Sequence, residues 1–311
     1  MSDTGLDIKF WTDKNGHRRV AFGNATQISD YDLSYGLNTW RKTSIKKNST
    51  NGRLNSSRYK LHNQIIQEYF AGKTPYRQGQ QKIALFTGGG TASGKGNFSK
   101  DIAKYYSKDE NPVKIDSDEL KKRLLEADTG KTKLNDFTGA YYHTESTILA
   151  NRIYEIAVQN NYPVLFDGTS TNFPTIDTRL KLAQKNGYKT KMCFMTSDAN
   201  TILESSLDRY RIDGRIVPLP TILGTHIAAQ STVPKLFENI DEMKLYNRVG
   251  NKISLIAKGG KGMQTTKMDM KLWNNFMNPD AYKLDTGAIN LYNERLADIK
   301  RQIQAAKARV K

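Results

Sequence analysis

An α/β fold with a parallel sheet covered by helices on both faces is what this 311-residue sequence predicts. Three observations predict it. Short apolar runs alternate with helical stretches from residue 82 onward. A glycine-rich phosphate-loop pattern follows the first of those runs. Carboxylates close the later runs, at the strand ends where ligands gather in open parallel sheets.

The strands are expected at 82–88 (KIALFTG), 112–116 (PVKID), 163–168 (PVLFDG) and 190–196 (TKMCFMT). Each is a short apolar run bounded by turn-forming or charged residues, as a strand buried on both faces should be. Helices are expected between them, at 95–107, 118–126, 143–160 and 176–186. The later runs MKLYNRV and KISLIAK suit a further strand and a hairpin. Before the sheet, residues 1–80 read as a polar, basic N-terminal extension. Residues 46–58 are rich in Asn, Ser and Gly, which favour turns, and are expected to form a loop. Residues 59–72 are expected to form a short helix, with Leu61, Ile65, Ile66 and Phe70 on one face and Gly72 ending it.

Residues 81–260 are then the catalytic-type domain, and 261–311 a linker with a C-terminal basic helix. In that helix, from about residue 289, Ile289, Tyr292, Leu296, Ile299, Ile303, Ala306 and Val310 recur in steps of three and four. This heptad seam is expected to pack on the chain's own domain, with a self-associating coiled coil as the alternative.

Composition narrows the setting. Hydrophobic residues make up 37% of the chain, sufficient for one core, and the formal net charge is +17. That excess favours acidic partners: nucleotides, nucleic acid, anionic surfaces or an acidic protein antagonist. A solvated lysine-rich surface explains it equally well. The lone cysteine, Cys193, can form no internal disulfide and no metal cluster. No signal peptide or bilayer-length apolar run is visible, so the expected setting is the cytoplasm, with no membrane partner.

Chemistry concentrates in Gly89-Gly90-Thr91-Ala92-Ser93-Gly94-Lys95, which fits G-x-x-x-x-G-K between a strand and a helical stretch. Glycines let backbone N–H groups curl around phosphate oxygens, and a lysine can reach the β- and γ-phosphates. Gly96 stands where a serine or threonine hydroxyl usually meets Mg²⁺. Binding of a nucleotide is expected, with Mg²⁺ held by other groups.

Asp116 and Asp118 end the second strand as D-x-D. A carboxylate there can take a proton from an acceptor hydroxyl, and Asp118 fits a helix N-cap as well. Asp167, before Gly168 and Thr169, closes the third strand and suits Mg²⁺ or its waters. Glu145 sits near a helix start, where its charge also complements the dipole. Arg209, Arg211 and Arg215 lie at a helix end and in the loop beyond it, where arginines can close over transferring phosphate or simply face solvent.

In order along the chain, GGTASGKG, KIDSDELKK, HTES, LFDGTSTN, GYKTKMCFM, DRYRIDGRIVP and LYNRVGNKI resemble the zeta toxin family, phosphotransferases with a P-loop kinase fold. The resemblance covers roughly residues 82–258. It implies transfer of phosphate from ATP or GTP to a sugar hydroxyl of UDP-N-acetylglucosamine. By motif match, Lys95 resembles the phosphate-loop lysine, Asp118 the base, and Arg209 and Arg215 the phosphate clamp. Glu145 resembles a substrate-contacting glutamate, with Asn151 competing for that place. Asp116 and Thr169 fall on the acceptor side. Gly96 departs from the pattern, and residues 1–80 have no recognised counterpart in it. Domains of this kind occur in plasmid and phage genomes. A nucleotide-binding accessory protein with weak or no catalysis, its basic ends on nucleic acid, is the alternative, and a kinase with another acceptor is a third reading.

Overall fold

A computed structural model describes residues 8–12, 18–22, 44–50, 53–98, 111–134, 136–213 and 217–309. The chain runs through β1 (Ile8–Thr12), β2 (Arg18–Phe22), α1 (Ser44–Lys47), β3 (Ser49–Thr50), β4 (Arg53–Leu54) and α2 (Ser56–Phe70). The sheet then begins with β5 (Lys82–Gly89), followed by a 3₁₀ turn at Lys95–Phe98 and by β6 (Val113–Asp116). Next come α3 (Ser117–Thr129), α4 (Asp136–Tyr141), α5 (His143–Gln159), β7 (Val164–Asp167), α6 (Phe173–Lys185) and β8 (Tyr188–Ser197). The chain closes with α7 (Ala199–Asp213), α8 (Leu219–Asn239), β9 (Glu242–Val249), β10 (Lys252–Gly260), β11 (Met263–Lys267), α9 (Met270–Met277) and α10 (Thr286–Arg309).

Seven strands form one sheet in the order β11-β10-β9-β8-β5-β7-β6. The five from β6 to β9 are parallel, and β10 and β11 add an antiparallel edge. β5 lies between β7 and β8, so the loop after it opens at the middle of the sheet's carboxyl edge. Ala84, Leu85, Phe86, Val164, Cys193 and Phe194 are all buried on these strands, as the continuous apolar runs require. The mixed α/β fold with helices on both faces is therefore the fold of the chain.

Strand bounds fall within two residues of expectation. The expected helix 95–107 is a 3₁₀ turn at Lys95–Phe98, and residues 99–107 lie outside the described residues. The stretch expected as a loop holds α1, a two-residue β3–β4 pair and the start of α2, which Asn55 caps by accepting the Arg58 amide at 2.9 Å. α2 is part of the main core: Ile65 is fully buried, and Leu61, Ile66 and Phe70 pack against the same cluster. Packing thus crosses the boundary at residue 80. The heptad seam of α10 lies on the chain itself. Ile289, Tyr292 and Ile299 are buried against Ile202, Leu203 and Leu207 of α7, and Arg295 pairs with Glu204 at 2.7 Å. The side chain of Ala306, and Val310 entirely, fall outside the description.

Candidate functional site

The loop after β5 is shaped by steric necessity. Gly89 adopts φ 136°, and a Cβ there would stand 2.3 Å from the Met195 carbonyl oxygen. No L side chain fits that place. Ala92 takes φ 63°, a left-handed conformation that is uncommon for alanine and clusters at ligand-binding loops. From β7 the following turn supports the loop: Gly89 N donates to Thr169 O at 2.8 Å, and Ser170 Oγ to Thr87 O at 2.8 Å. Lys95 turns back on its own loop and donates to the Gly89 and Gly90 carbonyl oxygens at 2.8 and 3.1 Å.

Three carboxylates gather beside it. Asp116 and Asp167 are register partners at the ends of β6 and β7. Asp167 Oδ1 accepts a short hydrogen bond from Thr87 Oγ1. The N-cap of α3 is Asp116, whose Oδ1 accepts the Asp118 amide at 2.8 Å. Asp118 is thereby released from capping. Its Oδ1 takes Lys121 Nζ at 2.9 Å and its Oδ2 takes Arg209 Nη2 at 3.1 Å.

These groups share one electrostatic field. Burial pushes the Lys95 ammonium down to about 8; Asp167, Asp118 and Asp116 pull it back up, and Arg209 opposes them. Burial, then the charge of Asp167, raises the Asp116 carboxyl. Lys95, Asp116, Asp118, Asp167 and Arg209 thus form one constellation at the carboxyl edge. Arg211 lies further along α7, exposed and paired with Asp208 at 2.6 Å. Arg215 lies outside the described residues.

Glu145 has a different setting. It is fully buried and receives Arg58 Nε at 2.6 Å, Arg58 Nη2 at 2.9 Å and His62 Nε2 at 2.7 Å. Arg58 also reaches Asp128 at 2.6 Å. Burial works against the Glu145 charge, but hydrogen bonds from His62 and Arg58 hold its carboxyl down at about 2. A contact from Glu145 to an acceptor requires this cluster to open. Asn151 is likewise engaged, by Arg179 Nη2 at 2.8 Å. Thr169 is exposed beside the loop.

Among the described residues no cluster of three or more His, Cys, Asp or Glu side chains is arranged to hold a metal ion. A nucleotide-borne Mg²⁺ needs fewer, because phosphates and water fill most of its shell. The paired Asp116 and Asp167 carboxylates meet that smaller requirement. Among the described residues a Cβ at Gly96 would meet nothing within 4 Å, so the hydroxyl position is open but unfurnished. Among the described residues no helix is long and apolar enough to cross a membrane.

Sequence reasoning missed the support behind the loop. Thr225 and His226 of α8 both bond to Thr91, and Ser197 of β8 bonds to Ser93. A lone histidine in the apolar run ILGTHIAAQ was the one available signal.

The family model of the zeta toxin matches residues 66–260. No curated protein matches. Among solved structures, the AvrRxo1-ORF1:AvrRxo1-ORF2 complex with sulphate ions is similar with a TM-score of 0.62 at 18% identity, covering 75% of this chain and 76% of that one. The same pair of proteins with ATP gives 0.60 at 18% identity, covering 75% of each chain. A structure from the PezAT chromosomal toxin-antitoxin system of Streptococcus pneumoniae gives 0.54 at 16% identity, covering 79% of this chain and 98% of that one.

Proposed function

The chain belongs to the zeta toxin family, and we propose on that ground that it transfers the γ-phosphoryl group of ATP or GTP to a hydroxyl of a sugar nucleotide such as UDP-N-acetylglucosamine. The observation that carries this reading is the Asp118–Arg209 ion pair set in the same field as Lys95. A base for the acceptor and a cation for the donor already face each other.

In this reading loop amides hold the phosphate tail and Lys95 leaves the Gly89 and Gly90 carbonyls for the β- and γ-phosphates. Arg209 turns from Asp118 to the transferring group, joined by Arg215. The freed Asp118 carboxylate takes the acceptor's hydroxyl proton. The acceptor oxygen then bonds to the γ-phosphorus as the bond to the β-phosphate oxygen breaks. Mg²⁺, when bound with the nucleotide, neutralises phosphate charge, and Asp167 with Asp116 would hold it or its waters. Thr169 lines the acceptor side.

The kinase unit is residues 81–260, with the core completed by α2. The setting is cytoplasmic in this reading. An acidic protein antagonist suits the +17 charge, and one similar structure comes from a toxin-antitoxin system. The test is incubation with ATP, Mg²⁺ and UDP-N-acetylglucosamine beside a Lys95→Ala control. Phosphorylated sugar nucleotide from the wild type alone supports the reading; none, or equal product from the control, overturns it. Gly96 favours a second reading, a nucleotide-binding accessory protein with little turnover. Nucleotide binding without turnover, with DNA retention that falls steeply with salt, would select it.

A further inference from the structure

The phosphate loop is gripped from behind by residues that carry no motif. Thr225 Oγ1 accepts the Thr91 amide at 2.9 Å, and His226 Nε2 lies 2.9 Å from the Thr91 carbonyl oxygen. A carbonyl oxygen only accepts, so Nε2 carries the hydrogen and Nδ1 is the bare acceptor. Nδ1 is buried with no hydrogen-bond partner among the described residues, and the whole side chain is 0% exposed. Leaving a buried acceptor unsatisfied is costly, so the ring holds its place against a polar penalty. Its flank explains Gly90: a Cβ there would stand 2.5 Å from the His226 ring.

A residue from beyond the matched domain holds the ring's surroundings in place. The Tyr282 ring centroid lies 5.0 Å from that of His226. Its hydroxyl donates to Ser197 O at 3.1 Å and lies 2.9 Å from Thr196 Oγ1. Ser197 Oγ in turn donates to Ser93 O at 2.9 Å.

A phosphate cradle works when N–H groups face the anion and carbonyl oxygens face away. In this loop four carbonyl oxygens are held by donors: Gly89 and Gly90 by Lys95, Thr91 by His226, and Ser93 by Ser197. Lys95 must give up its two when it turns to phosphate. The other two donors are fixed on α8 and β8 and have no such second task.

We propose that His226 is a positioning residue for the nucleotide, drawing the Thr91 carbonyl out of the phosphate cradle while Ser197 does the same at Ser93, with Tyr282 bracing both. The inference rests on the reading that this loop binds a nucleoside triphosphate. It also gives the segment after residue 260 a task in nucleotide binding.

Titration calorimetry of the full chain with ATP, and separately with UDP-N-acetylglucosamine, tests it. His226→Ala is expected to weaken ATP binding about tenfold and to leave UDP-N-acetylglucosamine binding unchanged. His226→Gln, whose amide N–H reaches the same carbonyl, recovers most of the loss. Ser197→Ala shows a smaller loss, again for ATP alone. A His226→Ala protein that binds ATP like the wild type, or a glutamine variant no better than alanine, overturns the inference. If His226→Ala fails to fold, Ser197→Ala decides by the same ATP criterion. A wild-type protein that binds no triphosphate overturns the underlying reading, and this inference with it.

Discussion

Arg209 Nη2 donates to Asp118 Oδ2 at 3.1 Å, joining α7 to the first turn of α3 across 91 positions of sequence. Lys121 holds the other oxygen of the same carboxylate at 2.9 Å. The aspartate is therefore oriented by two cations, and Arg209 also sits in the field of Lys95. Separating the two roles is the first prediction. Asp118→Asn should lower kcat by about 10²–10⁴-fold, the usual range for a lost general base, with ATP affinity kept. Arg209→Ala should lower kcat and also weaken ATP binding, because the guanidinium meets the donor. Equal turnover in Asp118→Asn and wild type would remove this aspartate from the chemistry.

The open space at Gly96 makes a gain of function testable. A side chain there meets no atom of the described residues within 4 Å of its Cβ, and φ is not in the left-handed region. Gly96→Ser should melt like the wild type. It should lower the Mg²⁺ concentration needed for half-maximal turnover severalfold, by supplying the absent hydroxyl ligand. Titrating turnover against Mg²⁺ reads this directly. Unchanged Mg²⁺ dependence would mean that the ion is held wholly on the Asp167 side.

The Arg58–Glu145 pair ties α2 to α5, and Arg58 is 4% exposed while Glu145 is 0%. Removing one member leaves a buried charge with weakened compensation. Arg58→Ala should destabilise the fold by roughly 3–5 kcal/mol, measured by urea unfolding. Arg58→Met combined with Glu145→Leu should cost less than Arg58→Ala, because the fully buried Glu145 charge is then removed and only the partly exposed Asp128 loses its cation. If the single variant costs under about 1 kcal/mol, the range of an exposed pair, the cluster is not tying α2 to the core.

Much of this molecule was written in local chemistry. The strands were legible because burial on both faces demands continuous apolar runs, and β8 was expected at 190–196 and lies at Tyr188–Ser197. Lys95 and the carboxylates were legible because each sits beside a strand end. α8 was not, because it is buried round much of its circumference and so shows no single apolar stripe, and it carries Pro234 inside it. Arg58 and Glu145 are 87 positions apart, and His226 meets Thr91 across 135. Such pairings depend on the packed sheet, and no spacing rule announces them. The N-cap of α3, for which Asp118 was the sequence candidate, is Asp116, because the strand ends one residue before the helix begins.

His226 also sets a pH dependence whose sign can be worked out. Burial, reinforced by the nearby Lys95 charge and opposed by the Thr91 carbonyl, lowers its pKa from 6.5 to about 4. Below about 6.5 the unfolded chain takes up a proton that the folded ring refuses. The folded state's advantage is therefore complete above that pH and is lost progressively as pH falls toward 4. The full effect is roughly 3 kcal/mol, of which about 2 kcal/mol should appear between pH 7.5 and pH 5. Groups such as Asp116 and Glu145 are common to the wild type and His226→Gln, and they cancel in the difference. Urea unfolding of both proteins across that range should show the wild type losing more stability than the variant. Parallel curves would mean that the ring takes up its proton as readily in the folded chain as in the unfolded one, and would contradict its burial against Gly90 and Tyr282.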